Sequence, residues 1–372
     1  MSTRIRFRIF AHSWISDWNH GNAHFLRGLA RELINLGHEV RCYEELGSWS
    51  LTNLVHNEGE MASQAIEQFR REFPELDVRF YQRGSTLHST LCEELREADV
   101  VILHEWNEPE VVNTILALKS QLGFRALLHD THHRAYSSAG EMLRFHLHLV
   151  DGVLAFGEAI TRIYLDGFGI EKAWTFHEAA DVSHFRPLEA KQEIDVLWIG
   201  NWGDEERTRE LMEYLIEPAS ELRNYKTVVH GVRYPENGRR ALREAGIEYR
   251  GYLPNLMAPE VYAVSALSLH VPRRQYTNGL SGIPTIRVFE ALACGATLLC
   301  APWQDVELLF RPGDDFLMVG TGAEMKAEIS RLVADDAARR QIGANGRETI
   351  LQRHTCAHRA EQLIEICKEL NQ

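Results

Sequence analysis

The sequence VPRRQYTNGLSGIPTIRVFEALACG, residues 271–295, decides the fold class of this chain of 372 residues. It begins where an apolar segment that we interpret as a strand ends, and it continues into Arg273 and Arg274. A loop of small residues follows, and an apolar helical pattern then runs to Gly295, with Pro284 in its first turn. A strand end, a small-residue loop and a helix N-terminus predict an anion site, because unpaired N–H groups and the helix dipole face the same place.

Two side chains of this helix suggest what the anion carries. Arg287 lies in the first turns, where a guanidinium can bind phosphate with two hydrogen bonds. Glu290 lies three residues on, on the same face, and repels phosphate but accepts hydrogen bonds from sugar hydroxyls. The pattern therefore favours a nucleotide-sugar site, and the alternative is an ordinary Arg–Glu pair on a surface helix.

Strand-like and helical segments alternate along both halves of the chain, which predicts parallel sheets covered on both faces. We expect an α/β protein with two Rossmann-like, doubly wound domains that face each other across a cleft, because such sheets bind ligands beyond the carboxyl ends of their strands. The predicted parts are a first domain over 1–180, a polar linker over 181–193, a second domain over 194–350 and a C-terminal helix over 351–372 that packs back toward the first domain.

The composition excludes several classes of protein. The formal net charge of −13 argues against nucleic acid as a partner, since that binding depends on neutralising phosphates. The apolar runs are too short for a transmembrane segment, and the N-terminus has no signal-peptide pattern. The six cysteines form no CxxC pair, so we expect reduced thiols and a cytoplasmic location.

The run FEALACGATLL, 289–299, resembles the donor-site helix of two-domain glycosyltransferases of the GT-B fold. GNWG at 200–203, HGVRYP at 230–235 and RGYLPN at 250–255 agree with these enzymes in order and spacing. The chain is similar to the family 4-type (group 1) enzymes, and its tail HTCAHRAEQLI, 354–364, resembles the spore-maturation (CgeB-like) branch. This resemblance implies a nucleoside-diphosphate-sugar substrate, no cofactor and no metal.

The resemblance also implies which residues hold the donor. Many retaining members carry two glutamates eight positions apart; Glu290 matches the second and implies a ribose contact, whereas Gly282 stands at the first. The contact to the transferred sugar is therefore missing or is made by backbone N–H groups of residues 280–282. Retention of the anomeric configuration of the sugar is expected on the resemblance alone. The implied donor-binding residues are Gly200, Asn201, Arg233, Tyr252, Arg273, Arg274, Asn278, Gly279, Leu280, Ser281, Arg287 and Glu290.

In the first domain, HDTHH at 129–133 follows a predicted strand. His132 is our candidate base for the acceptor hydroxyl, because the pKa of histidine lies near working pH, with His129 and Asp130 as its supports. A metal site or a structural histidine is the alternative, although the spacing does not match a helical metal pair. Glu105 is a second candidate base, and its alternative is a helix-start carboxylate.

The loop after the first strand, HSWISDWNHGN at 12–22, is aromatic and polar. Its tryptophans can stack on an acceptor sugar or pack under a lid, and both interpretations stay open. The residues predicted on the acceptor side are Trp14, Trp18, His20, Gly21 and His104.

The predicted function is a metal-independent glycosyltransferase reaction that moves a sugar from a nucleoside diphosphate to an unidentified acceptor. That acceptor is a glycan, a protein, a lipid or a natural product. The alternatives are a nucleotide-sugar-binding sensor or scaffold protein without activity and, with less support, a nucleotide-sugar epimerase.

Overall fold

The computed structural model describes residues 4–203 and 206–370. The chain divides into two compact units. The first contains the residues up to Glu178 and those from Cys356 onward, and the second contains Ala179–Thr355. The predicted linker, 181–193, contains no helix or strand and belongs to the second unit.

The first unit has a parallel sheet in the order β3-β2-β1-β4-β5-β6-β7. The central strand β4 is buried along its whole length, as expected for a parallel strand covered on both faces. The strands are β1 (Arg6–Phe10), β2 (Glu39–Glu45), β3 (Asp77–Tyr81), β4 (Val100–His104), β5 (Arg125–Asp130), β6 (Gly152–Ala155) and β7 (Ala173–Thr175).

Helices connect these strands. The C-terminal helix α17 (Cys356–Leu370) packs against the first helix α1 (Ala23–Asn35) within the same unit. Arg359 Nε donates to His177 O at 2.9 Å, and Gln362 Nε2 donates to Thr175 O at 2.9 Å. The helices are α1 (Ala23–Asn35), α2 (Trp49–Glu58), α3 (Glu60–Glu72), α4 (Leu87–Glu94), α5 (Pro109–Leu122), α6 (Arg134–Ser137), α7 (Ala139–Met142), α8 (Glu158–Arg162) and α17 (Cys356–Leu370).

The second unit repeats this plan with a parallel sheet in the order β10-β9-β8-β11-β12-β13. Its strands are β8 (Ile194–Ile199), β9 (Thr227–His230), β10 (Glu248–Tyr249), β11 (Ser265–His270), β12 (Leu298–Cys300) and β13 (Leu317–Met318). Its helices are α9 (Thr208–Leu211), α10 (Glu217–Glu221), α11 (Glu236–Ala245), α12 (Ala258–Ala263), α13 (Arg274–Asn278), α14 (Ile286–Ala293), α15 (Gly322–Ala334) and α16 (Asp336–Arg353).

Two doubly wound α/β units confirm the predicted fold class. In each sheet the strand order reverses once, between β1 and β4 in the first unit and between β8 and β11 in the second. The carboxyl ends of such strand pairs are the usual ligand positions in open α/β sheets. Among the described helices, none is both long and apolar enough to cross a membrane.

The segment that decides the fold differs from the prediction in one detail. Residues 274–278 form the short helix α13, not a loop that leads directly from the strand. Helix α14 begins at Ile286, so Pro284 lies two residues before its first turn. The small residues 279–285 therefore join two helices, and Thr285 is the N-cap of the second.

Candidate functional site

Arg207 connects the two strands at which the second sheet reverses. Its Nη1 donates to Val271 O at 3.0 Å, directly after β11, and its Nη2 donates to Asn201 O at 2.7 Å, two residues after β8. The side chain thus lies at the carboxyl ends of the two central strands. This is the position where an α/β sheet of this order binds its ligand.

Arg207 is half-buried, its Nε is covered, and the described residues compensate its positive charge only in part. Its Nε has no hydrogen-bond partner among the described residues. Burial, followed by the neighbouring charge of Arg273, lowers the pKa of Arg207 from 12.5 to about 9, and Arg287 adds to this effect. Glu206 opposes it, but that carboxylate accepts a hydrogen bond from Arg273 at 2.7 Å. Three guanidinium groups near one strand end favour an anion as ligand.

Helix α14 brings the predicted Arg287 and Glu290 together. Arg287 Nη1 donates to Glu290 Oε2, while Asn255 Nδ2 donates to Glu290 Oε1 at 2.9 Å. Glu290 is completely buried, so the alternative of an ordinary surface pair is wrong. Thr285 stands at the N-cap position of α14, but its side chain makes no capping hydrogen bond, and its hydroxyl lies 3.1 Å from His270 Nε2.

The predicted loops after β8, β9 and β10 meet at the same edge of the sheet. Gly231 N donates to Gly251 O at 2.8 Å, and Val232 N donates to Asn201 Oδ1 at 2.8 Å. A Cβ at Gly231 would lie 2.1 Å from Gly200 O, so the two loops touch through their backbones. Of the remaining predicted residues here, Tyr252 is buried and Arg233 is exposed.

The backbone amides of residues 280–282 were predicted to contact the transferred sugar, and the hydrogen bonds of Leu280 N and Gly282 N contradict this for two of them. Gly279 N and Leu280 N both donate to Gln275 O, at 3.1 and 3.0 Å, and Gly282 N donates to Gln304 O at 2.8 Å. These amides already have partners within the protein, and the side chain of Leu280 is fully buried.

Three other predicted donor residues lie closer to the surface. Asn278 is exposed and Ser281 is half-buried. Arg274 is exposed and paired with Glu210 at 2.9 Å, and it does not contribute to the charge around Arg207.

In the first unit, His132 follows β5 and is half-buried. Its backbone N–H donates to Asp130 Oδ1 at 2.9 Å, which fixes the turn after the strand. Its ring lies edge-on to Trp106, with 5.1 Å between the ring centroids. Trp106 is 42% exposed and follows the neighbouring strand β4. His132 therefore stays our candidate base, with an exposed aromatic ring beside it.

The two predicted supports of His132, His129 and Asp130, are both buried. Asp130 is buried, and its second oxygen accepts the hydroxyl of Tyr164 at 2.7 Å. Burial raises the pKa of Asp130. His129 is enclosed by the rings of Phe25, Phe176 and His104, and burial lowers its pKa to about 3. Both residues therefore belong to the core; Asp130 supports His132 by accepting a hydrogen bond from its backbone N–H, and a catalytic role for either residue stays a prediction.

Glu105 is also part of the interior. It is fully buried, and Arg134 Nε donates to its Oε2 at 2.9 Å. Burial raises the pKa of Glu105, and the ion pair with Arg134 opposes this. The guanidinium of Arg134 lies 4.0 Å from the ring centroid of Trp106. Glu105 thus positions Arg134 under Trp106 and is not accessible as a base.

The loop after β1 is fixed by two buried charges. Glu44 accepts the backbone N–H groups of Trp14 and Ile15, at 2.7 and 3.1 Å, and Arg27 donates to the carbonyl oxygens of the same two residues. Trp14 and Trp18 are buried, at 1% and 5% exposure. Of the two interpretations left open by the sequence, burial favours packing inside the unit over stacking on an acceptor.

His12, His20 and His104 lie together where β1 and β4 separate; His20 and His104 are buried, and His12 is half-buried. The ring centroids of His12 and His20 are 3.9 Å apart, and those of His12 and His104 are 5.6 Å apart. Burial lowers the pKa of all three, so they are neutral at pH 7. Of the other predicted acceptor residues, His20 and His104 are thus covered and Gly21 is half-buried. Within the described residues, no group of three or more His, Cys, Asp or Glu side chains has a metal-binding arrangement.

Comparison with known proteins agrees with this geometry. Residues 207–365 match the family described as "Glycosyl transferase-like". The matched segment begins at Arg207 and includes α14. No curated protein matches the sequence. The chain has the GT-B fold.

Solved structures support the fold over the whole chain. Anabaena Alr3699/HepE in complex with UDP and glucose is 12% identical with a TM-score of 0.70, and the match covers 98% of this chain and 100% of that one. Sucrose-phosphate synthase from Thermosynechococcus elongatus is 14% identical with a TM-score of 0.67 and 99% coverage of both chains. T4 phage BGT in complex with its UDP-glucose substrate is 12% identical with a TM-score of 0.62, covering 98% and 99%.

Sequence reasoning missed four residues of these candidate sites: Arg207, Asn255, Trp106 and Arg134. Arg207 stands in the charged run DEERTRE, 204–210, where nothing in the sequence separates it from its ion-paired neighbours. Its position could have indicated a role, because Arg207 follows by eight residues the end of β8, one of the two strands between which the strand order reverses. Trp106 follows a predicted strand in the same way, within HEWNEP.

Proposed function

We propose that this protein is a glycosyltransferase that takes a nucleoside-diphosphate sugar as its donor, with a uridine nucleotide as the first to test. The observation that carries the proposal is the covered Nε of Arg207, which has no hydrogen-bond partner in the described chain. It lies beside Arg273 and Arg287 at the strand switch point. Two relatives in fold, HepE and phage BGT, are described with UDP or UDP-glucose.

In this proposal, Arg207, Arg273 and Arg287 stabilise the diphosphate that leaves. Its negative charge grows as the glycosidic bond breaks, so positioned cations act most strongly in the transition state. We propose that these arginines replace a divalent cation. The test is activity in excess EDTA, which should persist. Buried Glu290, positioned by Asn255, accepts hydrogen bonds from the ribose of the nucleotide.

His132 is the proposed general base for the acceptor hydroxyl. It is half-buried, and its backbone is fixed by Asp130. The acceptor is a glycan, protein, lipid or natural product, and retention of configuration is proposed from the resemblance of the second unit. The anomeric proton coupling of the product, measured by NMR, tests retention.

The experiment that tests the function is a thermal-shift screen of the full chain with UDP, GDP, dTDP and their sugars. We expect a rise in melting temperature with one nucleotide series, followed by slow release of free sugar when only water is present as acceptor. Stabilisation without any turnover of the nucleotide sugar favours the sensor protein. A screen without any stabilisation contradicts the proposed donor site.

A further inference from the structure

The loop after β12, residues 301–310, lies at the carboxyl edge of the second sheet. Strands β11 and β12 are parallel neighbours, so this loop and the Arg207 site leave the sheet on the same side. Gly282 N donates to Gln304 O at 2.8 Å, which joins the loop to the segment before α14. The loop therefore adjoins the proposed donor site.

Several contacts fix the shape of this loop. The carboxylate of Asp305 accepts the backbone N–H groups of Leu309 and Phe310, at 3.0 and 2.7 Å. Arg353 Nη2 donates to Leu308 O at 2.8 Å. Leu308 has φ of 53°, a left-handed conformation that costs a non-glycine residue about 1 kcal/mol or more. A strained residue persists only where its surroundings determine its conformation, so the loop presents Glu307 in a fixed position.

Glu307 occupies the space beside Gly282. The φ of Gly282 is +94°, and a Cβ on this residue would lie 2.6 Å from Val306 Cγ2 and 3.2 Å from Glu307 Oε1. Position 282 therefore has no room for a side chain, and a carboxylate from the neighbouring loop lies there instead. Glu307 is half-buried, so one part of it faces solvent.

A carboxylate at this place suits one part of a nucleotide sugar. It repels the diphosphate, but it accepts hydrogen bonds from hydroxyl groups, and charge-assisted hydrogen bonds are the stronger ones. The amides of Gly279, Leu280 and Gly282 are engaged within the protein and leave the sugar without these backbone donors. We propose that Glu307 binds hydroxyl groups of the transferred sugar and selects the donor by them, an inference that rests on the proposed nucleotide-sugar function.

The test compares the affinity for a nucleotide with the affinity for its sugar conjugate. Isothermal titration with UDP, UDP-glucose, UDP-galactose and UDP-N-acetylglucosamine is performed on the natural protein, Glu307→Gln and Glu307→Ala. The matched control is Asp314→Asn, an exposed acidic residue a few positions further along the chain. Melting temperatures show that the variants are folded.

We expect both Glu307 variants to bind UDP within twofold of the natural protein and to bind the preferred UDP-sugar about tenfold more weakly, because a hydrogen bond to a charged group is lost. Asp314→Asn leaves both affinities unchanged. Equal losses for UDP and UDP-sugar indicate that Glu307 only supports the loop and overturn the inference, as does no change in either. If the natural protein binds no nucleotide at all, the proposed function falls as well.

Discussion

Replacement of Arg207 by methionine tests the donor site most directly, because a ligand-binding arginine and a structural one predict opposite results. Lowering the pKa of Arg207 from 12.5 to about 9 corresponds to roughly 5 kcal/mol against its charged form. Arg207→Met removes this cost but leaves Val271 O and Asn201 O without their donors, at about 1–3 kcal/mol each. These terms nearly cancel, so the melting temperature of the unliganded protein should change by only a few degrees.

The effect on nucleotide binding should be much larger. A unit charge about 4 Å from a phosphate contributes about 4 kcal/mol at an effective dielectric constant of about 20. That value sets an upper limit near 1,000-fold, and we expect UDP to bind Arg207→Met about 100-fold more weakly. Arg274→Met is the matched control, because Arg274 is exposed and paired with Glu210, and its effect should stay below about threefold.

Isothermal titration and thermal shift on the same samples decide the question. The affinity of the natural protein should also fall as pH rises above about 9, because Arg207 then loses its proton, and this fall should be absent in Arg207→Met. A variant that melts far lower but binds UDP as before would refute the argument, since Arg207 would then be a structural residue.

Three further predictions concern both units. As the pH is lowered from 6.5 to 4, the free energy of unfolding should fall by roughly 1 kcal/mol per pH unit for each of His12 and His129. The pKa values of these two histidines are lowered to about 4 and 3 in the native protein, so the unfolded chain takes up protons that the native protein does not. His129→Phe should therefore flatten the dependence of the melting temperature on pH. Trp106→Ala should lower the transfer rate about tenfold, with UDP affinity unchanged in titration, because its exposed ring lies beside His132. Gly231→Ala should lower the melting temperature by several degrees and weaken UDP binding, because its Cβ would lie 2.1 Å from Gly200 O.

Each of these changes has a control of the same type. His88→Phe alters an exposed histidine and should leave the pH profile unchanged. Trp49 is 53% exposed on α2, and Trp49→Ala should not affect transfer. Gly140→Ala adds a Cβ that meets nothing within 4 Å, so its melting temperature should stay close to that of the natural protein. Equal effects in variant and control would contradict the corresponding prediction.

The fold could be predicted because parallel strands and amphipathic helices are local patterns. The helix in FEALACG buries Glu290 and is followed by Gly295, and its position after a strand was readable from residues 271–295 alone. The short strand Ala173–Thr175 was missed, since three residues at a sheet edge carry too little pattern. Register and strand order follow from pairing between distant segments and need the structure.

The site was less predictable, because burial decides what a side chain can do. Trp14 looked available in a polar loop, yet Glu44 and Arg27 fold that loop inward and bury the ring. Trp106, in a similar polar stretch, has its ring supported by Arg134 from below and remains exposed. Residue type and neighbouring letters were alike in the two loops, and only long-range contacts separate them.

The distribution of charge in the second unit gives the strongest physical argument for its ligand. Arg273, Arg274 and Arg287 each have a carboxylate partner within the unit: Glu206, Glu210 and Glu290. Arg207 is half-buried with a covered Nε, and within the described residues its hydrogen bonds go to two carbonyl oxygens. A buried cation without a carboxylate partner lowers stability, and a bound anion at the same place restores it. The diphosphate of the donor should therefore stabilise the second unit by compensating the positive charge of Arg207. The natural protein and Arg207→Met should differ more in the rise of melting temperature caused by a nucleotide than in the melting temperature without one.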